Sequence, residues 1–129
     1  MSYLVDTNAW IGFLEGRSTF SPKIREIMVY ENWACKISLA SVWEASIKIG
    51  LGKLHLGYDL RHDLPCILEE NGFSLLPLDL EDVAAVKDLP GHHGDPFDRI
   101  QVVQAQRRGW KILSHDVLLD RYDIERIGP

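Results

Sequence analysis

Short apolar runs recurring between longer helical stretches constrain this chain more than any other feature. Tyr3-Leu4-Val5, Trp33–Ile37, Phe73–Leu78 and Lys111–Leu113 read as strands, each followed by a capping or turn residue. Between them the spacing predicts helices over Thr7–Glu15, Pro22–Glu31, Leu39–Ile49, Asp59–Glu70, Glu81–Asp88 and Asp95–Arg108. Ser21-Pro22 suits an N-cap and first helical position, and Gly50, Gly72 and Gly109 suit helix stops. A helical turn near Asp116–Leu119 and a last edge strand near Tyr122–Ile124 complete the pattern. Strands joined by helices pair in parallel, because a helical crossover returns the chain to the same end of the sheet. The expected fold is therefore an α/β sandwich around a short, mainly parallel sheet. At 129 residues the chain forms one domain, 1–129.

Composition narrows the function classes. The longest stretch free of Asp, Glu, Lys and Arg is eight residues, so no transmembrane helix is expected. The start Met-Ser-Tyr-Leu-Val-Asp has neither a basic n-region nor an apolar h-region, and Cys35 and Cys66 are too few for a disulfide framework. A cytoplasmic protein is the expectation. Net charge is −5, which disfavours nucleic-acid binding driven by charge alone. A site built to hold divalent cations is the exception, since bound cations reverse the local field.

In parallel α/β sheets ligands bind beyond the carboxyl ends of the strands. Asp6 ends the first run, Ser114-His115-Asp116 follows the fourth, Glu44 lies on the helix after the second, and Asp95 and Asp98 open the helix before the fourth. Five carboxylates distant in sequence can thus converge on one sheet edge. Their mutual repulsion raises pKa values unless cations neutralise it, and an oxygen donor set suits Mg²⁺ or Mn²⁺. Each acid also has a purely structural reading. Asp6 and Asp95 can serve as N-caps, Asp98 can face the helix dipole, and Asp116 can close a turn. Ser41 and Glu44 match a capping box, although Ser38 is an equally good N-cap. Gly50-Leu-Gly52-Lys53 lacks the spacing of a phosphate-binding loop. His92-His93 is a weak metal-ligand candidate, because adjacent histidines rarely share an ion. Trp10, Trp33 and Trp43 are expected in the core, both cysteines buried or half-buried, and Asp59, Asp63, Asp79, Glu81, Asp82 and Asp88 at the surface or as caps.

Taken together, Leu4-Val-Asp-Thr-Asn-Ala9, Ser41-Val-Trp-Glu-Ala-Ser-Ile-Lys-Ile-Gly-Leu-Gly-Lys-Leu54, His92-His-Gly-Asp-Pro-Phe-Asp-Arg-Ile100 and Leu113-Ser-His-Asp116 resemble the PIN-domain family. Within it the chain is most similar to the VapC-type toxin ribonucleases of bacterial toxin–antitoxin pairs. The resemblance covers nearly the whole chain and implies a three-layer α/β/α sandwich. It also implies a metal-dependent endoribonuclease that uses Mg²⁺ or Mn²⁺ and is inhibited by a VapB-like antitoxin. Asp6, Glu44, Asp98 and Asp116 match the family's catalytic and metal-binding acids, with Asp95 as an additional metal-site acid. Thr7, Asn8 and Ser114 support them, Ser114 standing where many relatives carry Thr. Lys48, Lys53 and Arg99 are candidate phosphate contacts. RNA is the expected substrate, and a homodimer the expected assembly. Apolar residues near Trp10–Leu14 and Pro22–Tyr30 offer a groove for an antitoxin segment that folds on binding. The alternatives are a non-catalytic metal-binding module and a nuclease acting on DNA. A haloacid-dehalogenase-type phosphatase fits poorly, because Asn8 stands where a second Asp would be needed.

Overall fold

The computed structural model describes residues 1–17 and 20–129. A parallel sheet of order β3-β2-β1-β4-β5 is formed by β1 (Tyr3–Val5), β2 (Cys35–Ser38), β3 (Ser74–Leu76), β4 (Lys111–Leu113) and β5 (Arg126–Ile127). Helices α1 (Thr7–Glu15) and α2 (Pro22–Tyr30) connect β1 to β2, and α3 (Leu39–Gly50) and α4 (Leu64–Asn71) connect β2 to β3. Helices α5 (Leu80–Ala85) and α6 (Pro96–Arg108) carry the chain back across β1 to β4.

Side-chain alternation along the strands divides the core in two. Val5, Cys35, Ile37 and Leu113 face Trp10, Ile24, Met28, Ala45, Leu64 and Leu68 on one side of the sheet. Leu4 and Ile112 face Val102, Ala105, Leu119 and Tyr122 on the other. This is the period-two pattern of a sheet covered on both faces, and it makes the α/β/α sandwich. α6 is buried continuously from Ile100 to Ala105, including Gln101 and Gln104. Its partners surround it: α3 and α5 pack beside it while β1 and β4 lie beneath.

Local sequence explains the boundaries. Asp6, Ser21, Ser38, Asp79 and Asp95 each accept a backbone N–H at the start of a helix. Gly72 ends α4 with φ of 82°, and the Asn32 side chain lies where a Cβ would project, so glycine is required there. Ser38, not Ser41, caps α3, which puts Glu44 in the second turn.

Several expectations are corrected. Residues 59–63 form turns and α4 starts at Leu64, after an Asp59 side chain that accepts from the N–H groups of Arg61 and His62. Asn32–Ala34 is a 3-10 turn, so β2 begins at Cys35. The last strand is Arg126–Ile127, not Tyr122–Ile124, because Tyr122 packs as a core residue against α6. Trp10 is buried, but Trp33 and Trp43 are exposed, as is Cys66. Asp82 caps α5 yet is fully buried, bonded to Arg107 and Arg108 of α6. In the stretch expected to form an antitoxin groove, Trp10 and Ile11 are core; Val29 and Tyr30 are exposed. Among the described residues, no helix is long and apolar enough to cross a membrane.

Candidate active site

The strand order reverses direction at β1, with β2 on one side and β4 on the other, and the candidate acids gather at the carboxyl ends of β1 and β4. The register Val5↔Leu113 sets Asp6 opposite Ser114. Asp6 N–H donates to the Leu113 carbonyl at 3.1 Å, and the Ser114 hydroxyl donates to Asp6 Oδ2. Asp6 Oδ1 accepts from Ala9 N–H at 2.8 Å, so the residue both caps α1 and faces the site. Ser114 Oγ also accepts from Asp116 N–H at 3.0 Å, fixing the turn that carries Asp116.

Glu44 is delivered by α3 and held at both oxygens. Thr7 Oγ1 donates to its Oε1 at 2.6 Å, and Lys48 pairs with its Oε2 at 2.9 Å. Thr7 Oγ1 also lies 2.7 Å from Ser41 Oγ, which accepts from the Trp10 indole N–H at 2.6 Å. A buried polar chain from Trp10 through Ser41 and Thr7 thus locks α1 to α3 and positions Glu44.

At the start of α6, Asp95 accepts from Phe97 N–H at 2.8 Å, and Asp98 is brought into the cluster at N3. Burial is the main reason Asp6 and Asp98 resist ionisation. It pushes Asp6 up to about 6, against the lowering effect of the Ser114 and Ala9 donors, with the Glu44 and Asp116 charges adding to the rise. Asp98 is pushed up to about 7 by burial first, then by Asp95, Glu44 and Asp6, with His93 opposing. Asp6, Glu44, Asp95, Asp98 and Asp116 therefore form one electrostatically coupled cluster.

His93, a weak ligand candidate beside His92 on spacing alone, lies among these acids. Its Nε2 is 2.9 Å from Asp116 Oδ2 and 3.2 Å from Asp98 Oδ2. Its Nδ1 accepts from Asp95 N–H at 3.1 Å. The available signal was its place two residues before an N-cap Asp, which lets the ring fold back onto that residue's amide. Neighbouring His92 instead packs edge-on against Tyr122.

The expected phosphate contacts separate. Lys48 and Lys53 line a cleft of about 350 Å³ beside the acids, together with Glu44, Asp95, Pro96 and Phe97. Arg99 does not join them. Its guanidinium donates to the carbonyls of Pro90, Leu89 and Val86, and it holds the 86–93 loop. Asn8 is exposed at the first turn of α1, next to a small pocket that also holds His115.

Among the described residues, ligand atoms of His93, Asp98 and Asp116 lie within 4.8 Å of one another, close enough to share a cation, with Asp6 and Glu44 coupled to them by charge. Asp6, Glu44, Asp98 and Asp116 are hard oxygen donors, the type that Mg²⁺ and Mn²⁺ prefer. Among the described residues, the positive partner facing Asp98 is His93, 3.2 Å away.

Fold and site together define a parallel α/β/α protein with an acidic centre at its topological switch point. The family model for the PIN domain matches residues 3–125, and the chain belongs to that family, whose members are generally nucleases. No curated protein sequence matches it. Among solved structures, a DNA-bound VapBC complex from Salmonella typhimurium is 17% identical with a TM-score of 0.70, covering 98% of this chain and 97% of its own. VapBC2 from Rickettsia felis, bound to a DNA fragment from its promoter, is 11% identical with a TM-score of 0.69 and covers 98% of each chain. FitAcB from Neisseria gonorrhoeae is 18% identical with a TM-score of 0.66, covering 98% of this chain and 97% of its own. At these identities the likeness is one of fold.

Proposed function

We propose that the chain is a divalent-metal-dependent endoribonuclease, the toxin of a toxin–antitoxin pair. The observation that carries this reading is the gathering of Asp6, Glu44, Asp98 and Asp116 at the carboxyl end of β1 and β4, in a PIN domain. Asp6, Glu44 and Asp98 would hold Mg²⁺ or Mn²⁺, with Asp116 and Asp95 adjoining. When bound, such a cation polarises a phosphodiester and helps activate water for attack. The chain's own part is preorganisation. Ser114 and Ala9 fix Asp6, Thr7 and Lys48 fix Glu44, and the α6 N-terminus fixes Asp98. Lys53, with Lys48 beside it, brings positive charge to the cleft for the flanking phosphates.

The partners belong to the same proposal. Two of the structural neighbours are named as VapBC complexes, which supports a VapB-like antitoxin for this chain. The exposed Val29 and Tyr30 at the end of α2 are the apolar contacts left for it. Leu39, Trp43 and Ile47 on α3, with Leu51 just past its end, recur every four residues and are exposed, a stripe suited to a second copy of the chain.

The test is cleavage of an RNA set, alongside DNA of the same sequences, with Mn²⁺ or with EDTA, by wild type and Asp6→Asn. RNA cleavage needing both Mn²⁺ and Asp6 is expected. Equal cleavage of DNA would move the reading to a general nuclease, because only RNA carries the 2′-OH. Mn²⁺ binding without cleavage of any RNA would favour the metal-binding module.

A further inference from the structure

The segment that carries Asp116 is tied at both ends by one side chain from the edge of the sheet. It runs from Ser114, directly after β4, into the 3-10 turn Val117–Arg121. Ser114 is fully buried, and each of its polar atoms has a partner. Its N–H donates to the Ile127 carbonyl at 3.0 Å. Its hydroxyl donates to Asp6 while accepting from Asp116 N–H at 3.0 Å. Its carbonyl accepts from Arg126 Nη1 at 2.9 Å. The rest of that guanidinium grips Asp120, with Nε 2.9 Å from Oδ1 and Nη2 3.0 Å from Oδ2. Two parallel bonds fix the plane of the fork, and that plane aims Nη1 at Ser114. Gly128 permits the close approach, since a Cβ there would run into the Ser114 carbonyl oxygen.

We infer that Arg126 is a positioning residue for the acid cluster: by strapping Ser114 to Asp120 it sets the spacing between Asp6 and Asp116. Its side chain is only 9% exposed, so water competes little for these bonds. Among the described residues it makes no hydrogen bond to Asp6, Glu44, Asp95, Asp98 or Asp116, and it acts on them through Ser114. One hydroxyl serves both Asp6 and the Asp116 turn, so a shift of the Ser114 backbone moves the two acids against each other. The catalytic part of this inference rests on the proposal that the acids cleave RNA.

Arg126→Lys keeps the charge, but an ammonium has no fork to hold Asp120 and the Ser114 carbonyl together. Asp120→Asn loosens the same fork from its exposed end. Val102→Ala, in the core on the Leu4 and Ile112 face of the sheet, controls for lost stability alone. Each full chain is measured at a temperature where circular dichroism shows it folded. Exchange of the Asp116 amide proton is followed by NMR in EDTA, and kcat and KM for RNA are measured with Mn²⁺. Arg126→Lys should exchange that amide about 5-fold faster. It should also lower kcat about 10-fold while KM holds within about two-fold. Asp120→Asn should move both readings in the same direction, and Val102→Ala neither. A lower Tm in Arg126→Lys, with exchange and kcat matching those of Val102→Ala, would overturn the inference and leave Arg126 a purely structural residue. Faster exchange with kcat unchanged would overturn it as well. Should Arg126→Lys not fold, Asp120→Asn decides by the same criteria. Should wild type cut no RNA, the nuclease reading falls, and amide exchange alone decides whether Arg126 holds the Asp116 turn.

Discussion

Replacing Asp98 with Asn should stabilise the metal-free protein, and the gain should grow with pH. Asp98 is raised from its ordinary 3.8 to about 7 by burial and by its acidic neighbours. At a pH well above 7, a rise of that size corresponds to ~4 kcal/mol held against the ionised carboxyl in the fold. Two terms reduce it. The side chain keeps 21% of its exposure, and an ionised acid at N3 gains about 0.5 kcal/mol from the helix dipole that Asn forgoes. Titration is also shared with Asp6, so a net gain of roughly 1–3 kcal/mol is expected for Asp98→Asn near pH 8. In a chain of this length that is a rise of about 3–10 °C in Tm. The sign follows from linkage. A carboxyl raised in the fold contributes stability that is full below its unfolded value and is lost as pH rises through about 7. The variant, which cannot ionise, escapes that loss, so the gap should nearly close around pH 4. Thermal melts of both proteins in EDTA across pH 4–8 measure it. Adding Mn²⁺ should then raise the wild-type Tm and leave Asp98→Asn almost unmoved. A variant no more stable than wild type at pH 8, or a gap independent of pH, would refute the claim that the cluster is strained by its own charge.

The opposite result is expected at Asp82. Its carboxyl is buried, yet hydrogen bonds from Arg108 and Arg107 outweigh burial and hold it below its ordinary value. Asp82→Ala should cost about 2–4 kcal/mol by removing the buried carboxylate that Arg107 and Arg108 share, leaving them only the exposed Asp79 and Glu81, with Mn²⁺ affinity unchanged; urea melts and calorimetry on one preparation check both. Arg99→Ala should lower Tm by several degrees and leave RNA affinity at low salt nearly as it was, because its donors serve loop carbonyls. Lys53→Ala should do the reverse, weakening RNA binding and flattening its salt dependence by roughly 0.7 in slope while Tm holds, as measured by fluorescence anisotropy with a catalytically silent Asp6→Asn background.

The parts of the fold that were legible are those where local chemistry and packing agree. β1, β4, α1, α2 and α6 are bounded by Asp6, Ser21, Asp95 and Gly109, whose caps work over two or three residues and can be read directly. The errors lie where a distant partner decides. Tyr122 and Ile124 have the look of a strand, but Tyr122 is drawn into the core against α6, and pairing passes to Arg126 and Ile127. Asp59 opens a turn, not a helix, because its carboxylate satisfies two amides locally. The strand-end acids were legible because topology alone sends them to one edge. His93 was not, since its value depends on Asp98 and Asp116, five and twenty-three residues further on. Arg99 failed for the complementary reason: nothing in the sequence reveals that loop carbonyls will engage both its terminal guanidinium nitrogens.

The stability of this domain and its chemistry draw on the same residues with opposite sign. Asp6 is a cap for α1 and a bridge to β4, both stabilising, yet it is buried at a pKa of about 6 among like charges. Glu44 escapes that conflict because Thr7 and Lys48 compensate each of its oxygens. Asp98 has one neutralising neighbour, His93, which it shares with Asp116. Asp98, the acid pushed furthest from its ordinary value, is therefore the one at which an added cation should do most for the fold. Binding to the native state alone stabilises by mass action, so a cation held there would relieve the charge strain and complete the site in the same step. Glu44 and Asp98 sit on α3 and α6, while Asp6 and Asp116 lie on short hydrogen-bonded turns directly after β1 and β4. A cluster that repels itself keeps its geometry only if the surrounding framework resists, and here the Trp10–Ser41–Thr7 chain and the β1–β4 register supply that resistance.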